Sequence, residues 1–441
     1  MRLSDYVKIF TLNDNTRAYY HSLRMIPVYL TQEEHTKLQS ALEKGELPDL
    51  PQSILDTLKD CHILVDDETG LIEAARNLVP EPYICMAYFI LTEQCNMACK
   101  YCFLGNASKS PRITDYPMSV EIAEKGLHFF AEQTRKVPEY FNEEKSIIFY
   151  GGEPLMSFET LRFVVKKCRE LQRDNLISDK IAFMMVTNGL LLTPEKISFL
   201  RDNNVSVSVS LDGAGKCANS SRVDRAGRET YSRVIEALRL CMSMGLNASL
   251  SVTLTDDAID NIDALIELLT EMEVKSLCFN ILHRTKNFPV NDEYYVRASR
   301  FVSDFYRRTK ALGIYEERFM RKLRAFSKQK LYFADCGACS GNQIVITPDG
   351  NVGLCQACTE DRRYFITSVD NLEYDLRNDK TVRDFVNSSP IFRESCRKCE
   401  ALGLCGGGCP VNAPETFCIH AKYTLDFLIR ELYYVMNKHA Q

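Results

Sequence analysis

No apolar run in these 441 residues approaches the roughly 20 needed to span a bilayer; stretches such as Ile181 to Val186 are far too short. A strong charge of either sign is also missing, with a net charge of -5 and a pI of about 5.9. That balance gives no electrostatic case for nucleic acid or a membrane surface. Met1-Arg2-Leu3-Ser4-Asp5-Tyr6 lacks the apolar core of a secretory signal, so a reducing, cytoplasmic location is expected. There the 18 cysteines are not a disulfide framework, and metal or redox chemistry is the better account. Hydrophobic and charged fractions of 45% and 26% are those of a soluble globular protein, and the length suits two or three domains.

Residues 1–83 carry no metal motif and read as a domain of their own. Tyr19 to Leu30 is β-prone, with Pro27 at an edge or turn. Thr31-Gln32-Glu33-Glu34 is a capping box that opens a helix to about Glu43. A second helix runs from Pro51 to Lys59, and Ile63-Leu64-Val65 with Leu71-Ile72 reads as a hairpin wing. The unit is winged-helix-like; it is either a recognition domain or a structural cap.

From Tyr83 to about Arg284, six apolar strands (87–91, 146–150, 181–186, 205–211, 248–254 and 276–282) alternate with five helices (119–134, 157–172, 194–202, 230–244 and 258–272). Strands apolar throughout and separated by helices imply parallel pairing, hence an α/β fold with a partial (β/α)6 TIM-like barrel whose chemistry collects in the loops at the C-terminal strand ends. The domain division expected is 84–290 for the barrel, 291–330 for a helical linker and 331–441 for a cysteine-rich C-terminal domain.

The first strand runs into Cys95, Cys99 and Cys102, spaced C-x3-C-x2-C, with Tyr101 before the last. A four-iron cluster normally takes four cysteines, so three leave one iron open to a ligand, as open catalytic metal sites do. A zinc site is the other reading of the spacing. The second strand ends in Gly151-Gly152-Glu153-Pro154, where glycines permit close backbone approach and the carboxylate and carbonyls accept from an ammonium group. The third ends in Thr187-Asn188-Gly189. The fourth ends in Ser210-Leu211-Asp212-Gly213, followed by Arg222, whose guanidinium suits a carboxylate. Further on come Cys336 and Cys339, an Asp349-Gly350 hairpin leading to Cys355, then Cys396, Cys399, Cys405, Cys409 and Cys418, at spacings that suit zinc or iron-sulfur.

Together these motifs, over residues 83 to about 425, resemble the radical S-adenosylmethionine (SAM) enzymes with a SPASM extension. The resemblance implies a 4Fe-4S cluster on Cys95, Cys99 and Cys102 that binds SAM and, with one electron, yields a 5′-deoxyadenosyl radical. It implies SAM contacts from Tyr101, from Gly151, Gly152 and Glu153 (amine), Thr187 and Asn188 (ribose), and Ser210 and Arg222 (carboxylate). It also implies two auxiliary 4Fe-4S clusters, on Cys336, Cys339, Cys355 and Cys409 and on Cys396, Cys399, Cys405 and Cys418, making three clusters in all. The Cys336–Cys339 separation is shorter than in sulfatase-maturing relatives, and Cys358 competes for Cys336's place. Cys61, Cys85, Cys168, Cys217, Cys241 and Cys278 match no ligand pattern and read as buried small apolar residues, with Cys217 exposed beyond a strand end.

Two reactions fit. One is maturation of a ribosomally synthesised precursor peptide by a thioether or carbon-carbon crosslink. The other is oxidation of a sulfatase Cys or Ser to formylglycine. Sulfatase maturases place an Asp base directly after the hairpin cysteine, and here that position is Gln356. The extra N-terminal domain resembles leader-peptide recognition domains and favours the peptide substrate. The resemblance further implies an electron donor such as flavodoxin or ferredoxin. A non-catalytic iron-sulfur scaffold is the alternative of another class.

Overall fold

The computed structural model describes residues 1–104, 114–284, 289–411 and 416–438. Chain contacts divide it into two compact units, residues 81–318 with 336–386, and residues 1–80 with 319–335 and 387–441.

In the first unit six parallel strands follow one another in order: Met86–Thr92, Lys145–Gly151, Ile181–Thr187, Val205–Ser210, Ser249–Leu254 and Ser276–Ile281. Helices Val120–Arg135, Phe158–Arg173, Pro194–Asp202 and Tyr231–Ser243 alternate with them, as the strand-helix pattern predicts. The helix expected over 258–272 is instead two, Asp256–Ile259 and Ile262–Glu271.

The strands are not apolar throughout. Val205, Val207, Val209, Leu250, Val252, Leu254, Leu277, Phe279 and Ile281 are buried, and the Ser, Thr, Cys and Asn residues between them are not. In these last three strands one face is therefore apolar and the other polar. On the polar face Ser210 is in register with Ser251, and Ser251 with Cys278.

Two further strands lengthen this sheet. Tyr315–Glu316, within the expected linker, pairs parallel to the sixth strand, and Gln343–Ile346 pairs parallel to the first. The latter turns back through Asn351–Gly353, so the hairpin leading to Cys355 continues the barrel sheet.

In the second unit an antiparallel sheet, Val7–Thr11, Arg17–His21 and Ile26–Leu30, packs with helices Gln32–Lys44 and Gln52–Asp60 around Tyr19, Leu38, Leu58 and Ile63. The capping box forms in full, Thr31 Oγ1 accepting from Glu34 N and Glu34 from Thr31 N. The wing does not form. Leu64–Val65 pairs with Arg2–Leu3, and Leu71-Ile72 opens the helix Leu71–Arg76, because Leu-Ile-Glu-Ala-Ala-Arg is a good helix sequence entered from Gly70 at φ 78°. The first 80 residues do not close a core alone: Tyr6, Leu23, Ile72 and Ala75 are covered by Ile391 and Leu402.

Among the unassigned cysteines, Cys168 and Cys241 are buried as expected and Cys217 is exposed. Cys61, Cys85 and Cys278 are only half-buried, a correction to their reading as core residues. No helix of the described residues is long and apolar enough to cross a membrane.

Candidate active site at the barrel's C-terminal face

The loop that carries Cys95, Cys99 and Cys102 is fixed from both sides by backbone. Gly152 N donates to Thr92 O (2.9 Å) and Glu153 N to Gln94 O (3.0 Å). A Cβ on Gly151 would stand 2.2 Å from Thr92 O, and one on Gly152 2.2 Å from Gln94 O and 3.0 Å from Cys95 N. The glycine pair is thus required by the neighbouring cysteine loop. On the other side Ala98 N donates to Val223 O (2.8 Å), Lys100 N to Ser221 O (2.9 Å) and Arg225 Nε to Cys95 O (2.6 Å).

Glu153 is fully buried. Its carboxylate accepts from Leu155 N (3.0 Å), Thr187 Oγ1 (2.8 Å) and Asn188 N (2.8 Å), tying the second strand end to the third. Thr187 Oγ1 also accepts from Gly189 N at 3.0 Å. The Glu153 and Thr187 side chains therefore serve the framework. Asn188 reaches the cysteine loop, its Nδ2 lying 2.7 Å from Asn96 Oδ1 and 3.7 Å from Cys95 Sγ.

Beneath the loop lies a buried polar triad. Tyr101 donates to Asp212 Oδ2 (2.6 Å), Arg222 donates to Tyr101 Oη (2.8 Å), and Arg222 stands 3.6 Å from Asp212. Burial pushes the Tyr101 phenol and the Asp212 carboxyl up. Burial also works against the Arg222 charge, but Tyr101 and Asp212 together hold its guanidinium protonated. Ser210 is half-buried at the fourth strand end. Asp212, hidden in a turn-forming Asp-Gly, and Arg225 were not among the predicted site residues. The available cue was an acid directly after a buried strand with an arginine ten residues on.

The residues fit a cluster with an open iron. Burial pushes the Cys95 thiol up to about 11 and Cys99 to about 12, so ligation must draw off their protons. Met97 N, 3.3 Å from Cys95 Sγ, is a donor suited to the thiolate. Among the described residues no three His, Cys, Asp or Glu converge on a single-ion position.

A radical SAM superfamily model matches residues 89–269. A cysteine-type anaerobic sulfatase-maturating enzyme of Clostridium perfringens is 26% identical over 71% of this chain and 85% of its own length. A radical SAM cyclopropyl synthase of Paramaledivibacter caminithermalis is 26% identical over 73% of this chain and 66% of its own. Among solved structures, anSMEcpe with bound AdoMet and Cp18Cys peptide matches with a TM-score of 0.67 at 21% identity, over 81% of this chain and 99% of that one. Streptococcus suis SuiB bound to its precursor peptide SuiA matches with a TM-score of 0.54 at 15% identity, over 93% and 95%. The fold is shared with both. Residues 89–269 thus form a radical SAM enzyme domain, of the family that uses a 4Fe-4S cluster and SAM, in a chain similar to anaerobic sulfatase-maturating enzymes and to a radical SAM cyclopropyl synthase.

Proposed function

We propose that the protein matures a ribosomally synthesised precursor peptide, forming a thioether or carbon-carbon crosslink, with the peptide's leader held by the N-terminal region. The observation that carries this reading is Gln356. Where sulfatase maturases keep an acidic base, this chain has an uncharged amide whose Oε1 accepts from Gln343 Nε2 at 3.1 Å, and an amide so held does not take up a proton. The alignment with SuiB supports the reading, since it runs over 93% of this chain against 81% for anSMEcpe. In the N-terminal sheet, Val7–Thr11 pairs among the described residues on one side only, with Arg17–His21, and an extended leader is suited to adding to such an edge.

Cluster and SAM when bound supply the hydrogen-abstracting radical. The chain's own groups do the positioning. Gly151 and Gly152 seat the cysteine loop, Asn188 lies beside Cys95, and the Tyr101–Asp212–Arg222 triad presents a buried cation toward Cys99, suited to SAM's carboxylate. Cys396, Cys399, Cys405 and Cys418 hold an auxiliary cluster, and a flavodoxin or ferredoxin delivers the electron.

The test is incubation of reconstituted, reduced enzyme and SAM with two substrates: a leader-bearing peptide from the neighbouring reading frames, and a sulfatase-derived cysteine peptide. The proposal expects the first to lose a pair of hydrogens and keep its sulfur. An aldehyde on the second, with the first untouched, would overturn it in favour of sulfatase maturation.

A further inference from the structure

The resemblance to SPASM enzymes gives Cys336, Cys339 and Cys355 a fourth partner in Cys409, which lies in the other compact unit. The first unit, however, has a fourth cysteine of its own. Cys336-Gly-Ala-Cys339 and Cys355-Gln-Ala-Cys358 are two C-x2-C turns separated by fifteen residues. C-x2-C-x15-C-x2-C is the spacing of a self-contained four-thiolate site.

Both turns are built to present sulfur. In the first, Ser340 N donates to Cys336 O (3.2 Å), Gly341 N to Ala338 O (3.0 Å) and Asn342 N to Gly337 O (2.8 Å), and the Cys336 and Cys339 sulfurs are 3.5 Å apart. In the second, Cys358 N donates to Cys355 O at 3.1 Å, the two thiols are hydrogen-bonded, and Arg362 N caps Cys358 O at 2.9 Å.

One side chain joins the turns. Gln343 is 3% exposed. Its Nε2 donates to Leu354 O (2.7 Å) and to Gln356 Oε1 (3.1 Å) beside Cys355, and its Oε1 would stand 2.8 Å from a Cβ on Gly337, inside the first turn. A Cβ at 337 would meet this amide, which would have to give way, so the glycine keeps the turns close. Cys339 and Cys358 are almost fully buried and Cys355 nearly so, while Cys336 is exposed at the rim.

We infer that Cys336, Cys339, Cys355 and Cys358 together ligate an iron-sulfur cluster wholly within the barrel unit, with Cys358 as the fourth thiolate. The thiols come in two pairs, a spacing that serves zinc or iron-sulfur alike, and the similarity to radical SAM enzymes, which carry iron-sulfur clusters, favours the cluster. Ligation releases one proton from each thiol to solvent, and iron and sulfide come from the assembly medium. Cys409 is then left outside this site.

The experiment uses the full chain with Cys95, Cys99 and Cys102 replaced by alanine, so that the radical cluster does not contribute iron. The protein is reconstituted anaerobically with ferrous iron and sulfide, and iron, sulfide and zinc are counted in this parent, in Cys358→Ser and in Cys409→Ser. The inference expects Cys358→Ser to lose one whole cluster, about two or four irons with matching sulfide, and Cys409→Ser to keep it. As a readout that needs no Cys358 variant, alkylation of the parent followed by peptide mass spectrometry should find Cys358 protected after reconstitution and reactive after chelation. Full iron in Cys358→Ser, Cys358 alkylated at the same rate in both states, or one zinc per chain in place of iron would each overturn it.

Discussion

Two cysteine loops, one in each compact unit, are held in place by different means. The Cys95 loop is set chiefly by backbone, Gly152 and Glu153 on one side and Ser221 and Val223 on the other, with Arg225 fastening Cys95 O and Asp212 and Arg222 holding Tyr101. The Cys405–Cys409 loop is set by a buried charge. Lys322 Nζ donates to Leu404 O and Cys405 O (3.1 Å each) and pairs with Asp335 at 2.8 Å, and Asp335 Oδ2 accepts from Gly408 N at 2.8 Å. A loop that must receive a ligand at one iron is best fixed by groups that compete with nothing in the site. A loop proposed to supply only a structural ligand, Cys405, tolerates a permanent cation, which would also offset the negative charge of a thiolate there. The first arrangement gives geometric precision and the second gives stability.

The charged arrangement should break most severely. Lys322→Met leaves the Asp335 carboxylate without its partner and two carbonyls without their donor, an expected loss of about 3–5 kcal/mol in guanidinium unfolding. Lys322→Met/Asp335→Asn should recover much of it, and an equal loss in the double variant would show that packing, not charge, holds the loop.

The same unit should lose stability in acid. Burial first, then the Arg24 charge, lowers His21 from 6.5 to about 4. Below about 6.5 the unfolded chain takes up a proton that the folded chain refuses until about 4. Stability is therefore fully present above 6.5 and lost as pH falls toward 4, by up to about 3 kcal/mol. Unfolding followed across that window should show the slope, and His21→Gln should flatten it.

At the Cys95 loop, Gly152→Ala should act on chemistry. A Cβ 2.2 Å from Gln94 O must displace the loop by on the order of 1 Å, and 5′-deoxyadenosine formation should fall by about 100-fold with the unfolding midpoint little changed. Arg225 is exposed and only fastens Cys95 O from outside, so Arg225→Ala should change the rate by about twofold.

Much of this was legible in the sequence. The strand-helix alternation located all six barrel strands, since each is a short run of β-branched or apolar residues bounded by a helix-length segment. The capping box at Thr31 and the helix at Pro194 needed only local chemistry. Two features depended on contacts far along the chain and were not legible. The pairing of Gln343–Ile346 with the first strand joined the hairpin to the barrel. Ile391 and Leu402 completed the N-terminal core. Alternation is plain in Val-Ser-Val-Ser-Val-Ser, and it runs against the rule that parallel sheets are apolar on both faces. At the site the residue types were readable but their partners were not: Glu153 and Thr187 face each other, and Arg222 sits on Tyr101 and Asp212.

The most direct measurement is the release of 5′-deoxyadenosine from SAM by the anaerobically reconstituted, reduced protein, compared with Cys95→Ala prepared in the same way. The structure predicts steady release by the wild-type chain and none above background by the variant. No release by either, or equal release by both, would contradict the account.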